Sequence, residues 1–271
     1  MYIPQQVLVF SGHDPTGGAG IQADIETLFQ FKAHAIPIIT CLTSQNSHNV
    51  LQLMPLSKTQ IQQQVRPILE DLNPCVIKLG LLGSLEVLDT VVDIIKQCPD
   101  LPVIVDPILS AGGGKDLTKQ DFIQQFCQKL LPLTDILTPN SEEARRLSGE
   151  MDLDKSAEVL LQRGCKAVLI TGTHENSIAV NNTLYQHNQP PQTLTWQRLA
   201  HEYHGSGCTL TAAISAGIAQ GLDVVSAIKQ AQTYTWQALE TAYPLGSGQL
   251  FPQRKQLQKI LLFVIKLISD I

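Results

Sequence analysis

The sequence predicts a three-layer α/β/α fold in which a mainly parallel central sheet lies between two layers of helices. Short apolar runs rich in Val, Ile and Leu alternate with longer amphipathic segments over most of the 271 residues. Turn residues or Pro flank most of the short runs, as is typical of buried parallel strands. Alternating strands and helices are joined by right-handed crossovers, which place helices on both faces of one sheet.

The individual elements follow from the period of the apolar residues. The short runs predict strands at 6–12, 35–42, 75–82, 101–109, 135–140 and 166–172. The amphipathic segments predict helices at 20–33, 58–72, 84–97, 119–131, 141–148, 154–163, 208–220, 223–242 and 253–269. Residues 176–199 are more polar and indicate short strands added antiparallel to the sheet. The chain shows no repeat and no linker, which predicts a single domain spanning 1–271, with 255–271 as a C-terminal packing helix.

Composition and charge argue against several classes of protein. The net charge of −5 comes without the clusters of Lys and Arg that a nucleic-acid-binding surface needs. The six cysteines are scattered and form no CxxC pair, so we expect free thiols and a cytoplasmic protein. The start, MYIPQQVLVF, lacks the basic region of a secretory signal and is interpreted as a strand. Neither nucleic acid nor a membrane is therefore expected as a partner.

The tail LQKILLFVIKLISDI is the most hydrophobic stretch of the chain. It carries Lys259, Lys266 and Asp270, and its apolar core is too short to span a bilayer of about 30 Å. We expect a packing or oligomer helix; an amphipathic helix on a membrane surface is the alternative.

Ligands of open parallel sheets bind beyond the carboxyl ends of the strands, so the strand-to-helix turns carry the functional information. In the first turn, SGHDPTGGAGIQAD, the residues Gly18, Gly20 and Ala23 match the GxGxxA pattern of dinucleotide-binding dehydrogenases. The second strand, however, ends in Gln45 instead of the acid that would hold a ribose. The glycines could equally serve only a tight turn and close helix packing. That use leaves unexplained the polar side chains Asp14, Gln22 and Asp24.

Two further turns have ambiguous patterns. The chain contains no GxxxxGK[ST] sequence, which excludes a P-loop, and AGGGKDL at 111–117 follows Asp106 instead. Three successive glycines predict a mobile loop at 109–117, either one that closes over a site or an exposed loop tip. In LTPNSEEARRL, Asn140 and Glu143 have the spacing of a helix capping box. The same pair could hold a hydrated Mg²⁺ beside phosphates.

The segment YHGSGCTLTAAISAGIA places a thiol at the start of a predicted helix. Gly205, Ser206, Gly207 and Cys208 bring successive backbone N–H groups to the helix N-terminus, where the dipole favours an anion. Such a group of donors can stabilise a phosphoryl group in transfer. The same dipole is expected to favour the thiolate of Cys208, which could then accept a proton from an attacking alcohol. The alternative is a small residue that merely fits the turn.

Together these stretches resemble the ribokinase-like superfamily and, within it, the hydroxymethylpyrimidine/phosphomethylpyrimidine kinases of thiamin biosynthesis. The resemblance covers about 7–252 and rests on six blocks in the family's order: SGHDPTGGAGIQAD, SQN at 44–46, IKLGLL at 77–82, VDP at 105–107, TPNSEEA at 138–144 and HGSGCT at 204–209. Cysteine at position 208, where most sugar and vitamin kinases of the superfamily have aspartate, favours the pyrimidine branch.

The resemblance implies transfer of phosphoryl groups from ATP, with Mg²⁺, to 4-amino-5-hydroxymethyl-2-methylpyrimidine and to its monophosphate. It implies a homodimer and assigns Cys208 as catalytic base in an anion hole formed with Gly205 and Gly207. The other residues implied are Gly12, Ala19, Asp24, Gln45, Leu81 and Ile108 for the pyrimidine, Asn140, Glu143 and Thr171 for the nucleotide, and Glu143 and Asp106 for the metal.

One position departs from the family pattern. The strand VLITGTHE has Thr171 where the family commonly has a lysine that reaches the nucleotide phosphates. Lys78, Lys115 or a lysine of a partner subunit could replace it. The missing cation puts the second phosphorylation in more doubt than the first.

Two other functions are compatible with the sequence. Pyridoxal kinases of the same branch also use cysteine, and their substrate is likewise an aromatic ring with a hydroxymethyl group. A pyrimidine-binding protein with weak catalysis would be consistent with Thr171. Relative turnover of the pyrimidine and pyridoxal separates the first alternative, and binding without turnover identifies the second.

Overall fold

The computed structural model describes residues 3–110 and 120–255. In chain order, the described strands are β1 (Gln6–His13), β2 (His34–Gln45), β3 (Val50–Pro55), β4 (Val76–Leu79), β5 (Val103–Val105), β6 (Ile136–Leu137), β7 (Ala167–Thr171), β8 (Ala179–Gln186) and β9 (Gln192–Gln197). They form one sheet in the order β3-β2-β1-β4-β5-β6-β7-β8-β9.

The sheet is mainly parallel, as predicted. Strands β2, β1, β4, β5, β6 and β7 are parallel neighbours, with pairs such as Val7 opposite Val76 and Ile104 opposite Ile136. Strands β8 and β9 extend the sheet antiparallel, which confirms the prediction for 176–199. The antiparallel edge strand β3 was not predicted, because apolar side chains such as Leu51 are exposed there and show no alternation.

Eight α-helices lie within the described residues: α1 (Gly20–Gln30), α2 (Lys58–Asp71), α3 (Leu85–Ile95), α4 (Gln120–Lys129), α5 (Ser141–Ser148), α6 (Leu153–Gln162), α7 (Ser206–Ala219) and α8 (Val224–Glu240). Side chains of α2 to α6 form one hydrophobic cluster with the sheet, and those of α1, α7 and α8 form a second cluster. Two helical layers therefore enclose the sheet, as the predicted three-layer architecture requires.

The helix boundaries agree with the predictions to within a few residues. Helix α1 ends before Lys32, which has a positive φ of 57°. Helix α7 begins two residues earlier than predicted because Gly205, with φ of 76°, ends the preceding turn. The predicted loop at 111–117 and, beyond Lys255, the predicted C-terminal helix lie outside the described residues. None of the described helices has both the length and the apolar character needed to cross a membrane.

The centre of the sheet is the most completely buried part of the described chain. Leu8 and Phe10 on β1 and Ile77 and Leu79 on β4 have no exposed surface. Burial of each of these side chains stabilises the folded protein by about 1.5–3 kcal/mol. The carboxyl ends of these strands are therefore held in fixed relative positions. We propose that this one sheet with its helical layers is a single domain.

Substitution of Phe10 should destabilise the protein far more than substitution of an exposed phenylalanine. Phe10→Ala leaves a cavity between the sheet and its helices, and we expect a loss of about 3–5 kcal/mol in the free energy of unfolding. Phe29 is 78% exposed, so Phe29→Ala should change it by less than about 0.5 kcal/mol. Urea denaturation followed by circular dichroism measures both. Equal effects would contradict the position of β1 at the centre of the core.

Candidate active site

Most of the predicted site residues lie together at the carboxyl edge of the sheet. Gly12 is near the end of β1, Asp106 directly follows β5, and Asn140 lies between β6 and α5. Thr171 ends β7 and forms an isolated parallel bridge with Asn140. Helices α1, α5 and α7 begin at the same edge and direct the positive ends of their dipoles towards it. The edge therefore combines acidic side chains with positive helix ends.

The N-termini of α1 and α7 meet at Cys208. Gly205 has a left-handed backbone, and a Cβ at this position would overlap the carbonyl oxygen of Gly18 and lie 2.9 Å from the Cα of Ala19. The backbone N–H of Gly20, the first residue of α1, donates a hydrogen bond to the Cys208 sulfur. Amide groups of two helices therefore converge on one small volume, an arrangement that binds anions.

The thiol of Cys208 is protonated in the free protein. Burial raises the pKa of Cys208 to about 12, although the nearby positive charge of Lys78 acts in the opposite direction. The expectation that the helix dipole would favour the thiolate is therefore wrong for the ligand-free state, because 6% exposure leaves too little water to solvate the anion. The charge of nearby Asp106 also acts to raise the pKa of Cys208.

Two carboxyl groups lie next to this junction. Asp106 is buried, and a Cβ at Gly207 would lie 3.3 Å from its Oδ2 atom. Burial raises the pKa of Asp106, although Lys78 opposes the rise. Burial, followed by the charge of Asp106, likewise raises the pKa of Glu143. Two buried acids that interact electrostatically are costly unless they share a proton or a cation lies close to them.

Asn140 and Glu143 form the capping box that their spacing predicted. The Asn140 side chain accepts a hydrogen bond from the Glu143 backbone N–H at 2.9 Å, and Glu143 Oε2 accepts one from Asn140 N–H at 3.0 Å. Glu143 Oε1 also accepts a hydrogen bond from Leu109 N–H at 3.3 Å. Asn140 and Glu143 therefore cap the N-terminus of α5. Each carboxylate oxygen of Glu143 still retains a lone pair for a further ligand.

Asp24, which was predicted to contact the pyrimidine, pairs with a lysine in the interior of the protein. Its carboxylate is fully buried and 2.8 Å from the ammonium group of Lys78, which is also fully buried. Burial raises the pKa of Asp24, whereas the pKa of Lys78 is raised because Asp24, Cys208 and Asp106 outweigh its burial. The short contact and the acidic surroundings of Lys78 favour an ionised pair.

Lys78 is therefore not a replacement for the missing lysine at position 171. Its ammonium group faces Asp24 in the interior of the protein. The other candidate within this chain, Lys115, lies outside the described residues. Thr171 itself is half-buried, and its backbone N–H donates a hydrogen bond to the Pro139 carbonyl at 2.9 Å.

The predicted pyrimidine side of the site contains a polar network. Gln45 Nε2 is 3.1 Å from His204 Nε2, which is 2.8 Å from Asp14 Oδ2. Asp14 also accepts a hydrogen bond from Ala19 N–H at 2.8 Å. Burial acts to raise the pKa of Asp14, but hydrogen bonds from His204 and Thr16 outweigh it and lower the pKa. The network connects Gln45 with the first turn of α1.

The apolar side of the pocket is less completely defined. A Cβ at Gly12 would lie 2.9 Å from the Cys41 sulfur and 3.2 Å from the Leu81 side chain. Both side chains therefore pack closely against the backbone of β1 at Gly12. Leu81 is buried, whereas Ile108 is half-buried. Both side chains are suited to be walls of an aromatic ring's binding site.

The donor set fits Mg²⁺ better than a metal held only by protein groups. Within residues 3–110 and 120–255, no group of three or more His, Cys, Asp or Glu side chains could hold a metal ion. Asp106 and Glu143 supply two oxygen-bearing side chains with raised pKa values. Mg²⁺ commonly binds one or two carboxylates together with substrate phosphates and waters.

An open groove elsewhere in the described part of the chain has different chemistry. This groove lies between Lys32 and Lys229, where the C-terminal turns of α1 and α7 face α8. Helix C-termini carry partial negative charge, and this groove therefore lacks the converging N–H groups seen at Cys208. We propose that the active site lies at the carboxyl edge of the sheet.

Several residues of this site were missed by sequence reasoning. His204 and Arg254 were not considered, and Lys78 was considered only as a nucleotide ligand. A lysine inside the apolar run CVIKLGLL is a usable signal, because a buried ammonium group needs a partner. No local pattern marks Arg254, whose contacts lie far away in the sequence.

A family model described as Phosphomethylpyrimidine kinase matches residues 14–252. The chain belongs to the phosphomethylpyrimidine kinase family. It is 33% identical to a hydroxymethylpyrimidine/phosphomethylpyrimidine kinase of Streptomyces coelicolor, over 90% of this chain and 92% of the relative. The corresponding kinase of Synechococcus elongatus is 35% identical, with 89% and 94% covered.

Solved structures of the family and its neighbours confirm the ribokinase-like fold. A phosphomethylpyrimidine kinase of Clostridium difficile 630 is 30% identical, with a TM-score of 0.75 over 85% of this chain and 97% of that chain. A pyridoxal kinase of Bacillus subtilis, solved as an ADP complex, is 27% identical, with a TM-score of 0.85 over 93% and 98%. The protein is thus an enzyme of the phosphotransferase class.

Removal of the buried ammonium group should destabilise the protein strongly. Lys78→Met leaves the Asp24 carboxylate buried without its partner, and we expect a loss of about 3–5 kcal/mol in the free energy of unfolding. The surface pair of Lys129 and Asp89 is 41% and 52% exposed, so Lys129→Met should cost less than about 1 kcal/mol. Thermal and urea denaturation of both variants test this. A Lys78→Met protein as stable as Lys129→Met would show that the buried pair is not ionised.

Proposed function

We propose that the protein transfers the γ-phosphoryl group of ATP to the hydroxymethyl oxygen of 4-amino-5-hydroxymethyl-2-methylpyrimidine, as part of thiamin biosynthesis or salvage. A second transfer to the resulting monophosphate yields the diphosphate. The observation that carries the proposal is the meeting of the α1 and α7 N-termini at Cys208 in a chain of this family. The ADP complex of the similar pyridoxal kinase supports ATP as the donor.

The pyrimidine is held between the polar network and the apolar walls. The amide of Gln45 can pair with the aminopyrimidine edge because it carries both a donor and an acceptor. Its contact with His204 limits its rotation. Leu81 and Ile108 bound the ring, and the backbone at Gly12 and Ala19 approaches it closely. These contacts direct the hydroxymethyl group towards Cys208.

The transferred group is stabilised by the amides at the start of α7. The bond between the substrate oxygen and the γ-phosphorus forms as the bond from that phosphorus to the bridging oxygen of ADP breaks. Charge spreads over the three equatorial oxygens, and the N–H groups of Gly205 to Cys208 are directed at such an anion. Positioning and charge stabilisation therefore supply most of the acceleration.

Cys208 lies where the proton of the alcohol must go. Because the thiol is protonated, its sulfur can accept that proton only as its own proton leaves. We propose that the carboxylate of Asp106, which lies beside Gly207 and interacts electrostatically with Cys208, receives it. Cys208 then acts as the catalytic base through a short relay, and the second oxygen of Asp106 stays available to a cation.

The nucleotide side of the site is formed by Asn140, Glu143 and Thr171. Asp106 and Glu143 would hold a Mg²⁺ ion, which, when bound, neutralises charge on the ATP phosphates. The Asn140 side chain retains N–H donors for a phosphate, and Thr171 lies beside it in the sheet. We propose that the missing lysine weakens ATP binding without preventing transfer.

Pyridoxal is the second candidate substrate. The pyridoxal kinase of Bacillus subtilis has the higher TM-score of the two solved enzymes compared above, 0.85 against 0.75. Its similarity covers 93% of this chain, which supports pyridoxal as a candidate. The pyrimidine remains the first choice because the relatives of Streptomyces coelicolor and Synechococcus elongatus, 33% and 35% identical, are hydroxymethylpyrimidine/phosphomethylpyrimidine kinases.

We also propose that the protein is a cytoplasmic homodimer. All six cysteines are free, as suits a reducing compartment. The proposal of a dimer comes from the family resemblance and from the apolar segment that follows Lys255 in the sequence.

Turnover with Mg-ATP should be detectable for the pyrimidine. Coupled ADP release is measured with the hydroxymethylpyrimidine, its monophosphate and pyridoxal in parallel, and products are identified by mass. We expect the highest kcat/KM for the pyrimidine and slower formation of the diphosphate. A clear preference for pyridoxal would assign the protein to the second candidate function. Binding of the pyrimidine without turnover would contradict both kinase assignments.

Two substitutions should separate catalysis from binding. Cys208→Ala removes the proton acceptor, so kcat should fall by about 100-fold or more while the KM for the pyrimidine changes little. Gln45→Ala should mainly raise that KM, because it removes contacts made equally in the ground and transition states. Cys98→Ala is the control, because Cys98 is a half-buried cysteine that is distant from Cys208 in the sequence. It should leave both kcat and the KM for the pyrimidine unchanged. An undiminished kcat in Cys208→Ala would end its assignment as the base.

A further inference from the structure

Arg254 connects the parts of the site that create the anion-binding junction. Its side chain is 2% exposed, and its guanidinium group donates hydrogen bonds to the Gly18 carbonyl and, at 2.9 Å, to Thr209 Oγ1. A third contact reaches Glu26 Oε2 at 3.3 Å. Gly18 precedes α1, Glu26 is on α1, and Thr209 is in the first turn of α7. One side chain therefore joins both helices at the point where they meet.

The guanidinium group also lies directly against the backbone of the proposed anion hole. A Cβ at Gly205 would be 2.9 Å from an Arg254 nitrogen atom. Thr209, which accepts the Nε–H of Arg254, donates in turn to the Gly205 carbonyl at 2.8 Å. The Gly205 carbonyl is thus fixed through Thr209, and the Gly18 carbonyl is fixed directly. These two carbonyls orient the peptide groups that lead into α7 and α1.

The position of Arg254 is itself fixed by α8. The backbone carbonyl of Arg254 accepts a hydrogen bond from Tyr234 Oη at 2.8 Å, and Gln253 N–H donates to the Ala238 carbonyl at 2.8 Å. Tyr234 and Ala238 are both buried on α8. Residue 254 lies beyond the 14–252 region that the family model matches. The junction is therefore braced by a residue outside that shared region.

We propose that Arg254 is a positioning residue for phosphoryl transfer, which holds the N-termini of α1 and α7 at the spacing where their amides act on one anion. The inference rests on the proposed kinase function. A planar guanidinium with several donors suits this task, because it can bind a carbonyl, a hydroxyl and a carboxylate at once. A lysine has one point of charge and cannot span the three partners.

Kinetics of Arg254→Ala and Arg254→Lys test the proposal. A displacement of the amides on the order of 1 Å should lower kcat by about 100-fold in Arg254→Ala. The KM for the pyrimidine should change much less, by under about 3-fold, because the hydrogen bonds of the Arg254 guanidinium go to Gly18, Thr209 and Glu26 and not to Gln45. Arg254→Lys should recover only part of the rate. Added guanidinium, well below denaturing concentrations, should restore part of kcat in Arg254→Ala, which a loss of folded protein would not show.

The matched control is Arg66→Ala, since Arg66 is 84% exposed and forms a surface ion pair with Glu70 across a helical turn. It should retain wild-type constants. A kcat of Arg254→Ala equal to that of Arg66→Ala would overturn the proposal. Should Arg254→Ala fail to fold, Thr209→Val decides instead, because it keeps the guanidinium but removes one acceptor. A lowered kcat with unchanged KM supports the proposal, and unchanged kcat overturns it.

Hydrogen exchange separates this proposal from the proposed function. If the wild-type protein turns over none of the substrates, the kinase assignment fails, yet the brace can still be measured. The amide of residue 209, which donates to the Gly205 carbonyl at 3.0 Å, should exchange about 10-fold faster or more in Arg254→Ala or Thr209→Val than in Arg66→Ala, because the start of α7 loses its support. Equal exchange rates would show that Arg254 does not position the junction.

Discussion

The site depends on the close meeting of two helix N-termini at Cys208. The contact is possible only where side chains are missing, because a Cβ at Gly205 would overlap the Gly18 carbonyl and one at Gly20 would overlap the Gly12 carbonyl. Gly20 has a left-handed φ of 56°. The glycines that resemble a dinucleotide fingerprint therefore serve close backbone approach. This close approach brings N–H groups of α1 and α7 into one small volume. Such a volume is suited to bind a negatively charged phosphoryl group during its transfer.

Two pairs of buried charged groups belong to this junction. Lys78 and Asp24 form a fully buried pair. Asp106 and Glu143 have raised pKa values because they are buried and interact with other charged groups. Buried acids in excess of buried bases make a site that gains from a divalent cation. The proposed roles of these carboxylates in holding Mg²⁺ and in receiving the Cys208 proton both follow from this excess.

The sequence predicted the parallel sheet, both helical layers and most helix boundaries, since periodicity reports which face of an element is buried. It also predicted the edge at which the site lies, because strand ends are local features. It could not predict β3, whose apolar side chains are exposed. The protonated thiol of Cys208 was missed as well, because the dipole of α7 is readable from the sequence whereas the burial that outweighs it is not.

Long-range contacts account for the remaining gaps. The family resemblance assigned Asp24 to the pyrimidine pocket, but only the fold shows that it contacts Lys78. Arg254 is more than two hundred positions from Gly18 in the sequence, and the folded chain is needed to bring them together. The family resemblance supplied the order of the motifs, whereas the structure shows which side chains support them.

The most direct test of the account is the response of the α7 amides to an analogue of the transferred phosphoryl group. Two-dimensional ¹H–¹⁵N NMR would follow Gly207 and Cys208 as ADP, aluminium fluoride, Mg²⁺ and the pyrimidine are added together. The account predicts large downfield shifts of these two amide protons when all the components are present. The shifts should be smaller when the pyrimidine is left out, and smaller again with ADP alone. Unchanged Gly207 and Cys208 resonances, with shifts elsewhere, would contradict the placement of phosphoryl transfer at the junction of α1 and α7.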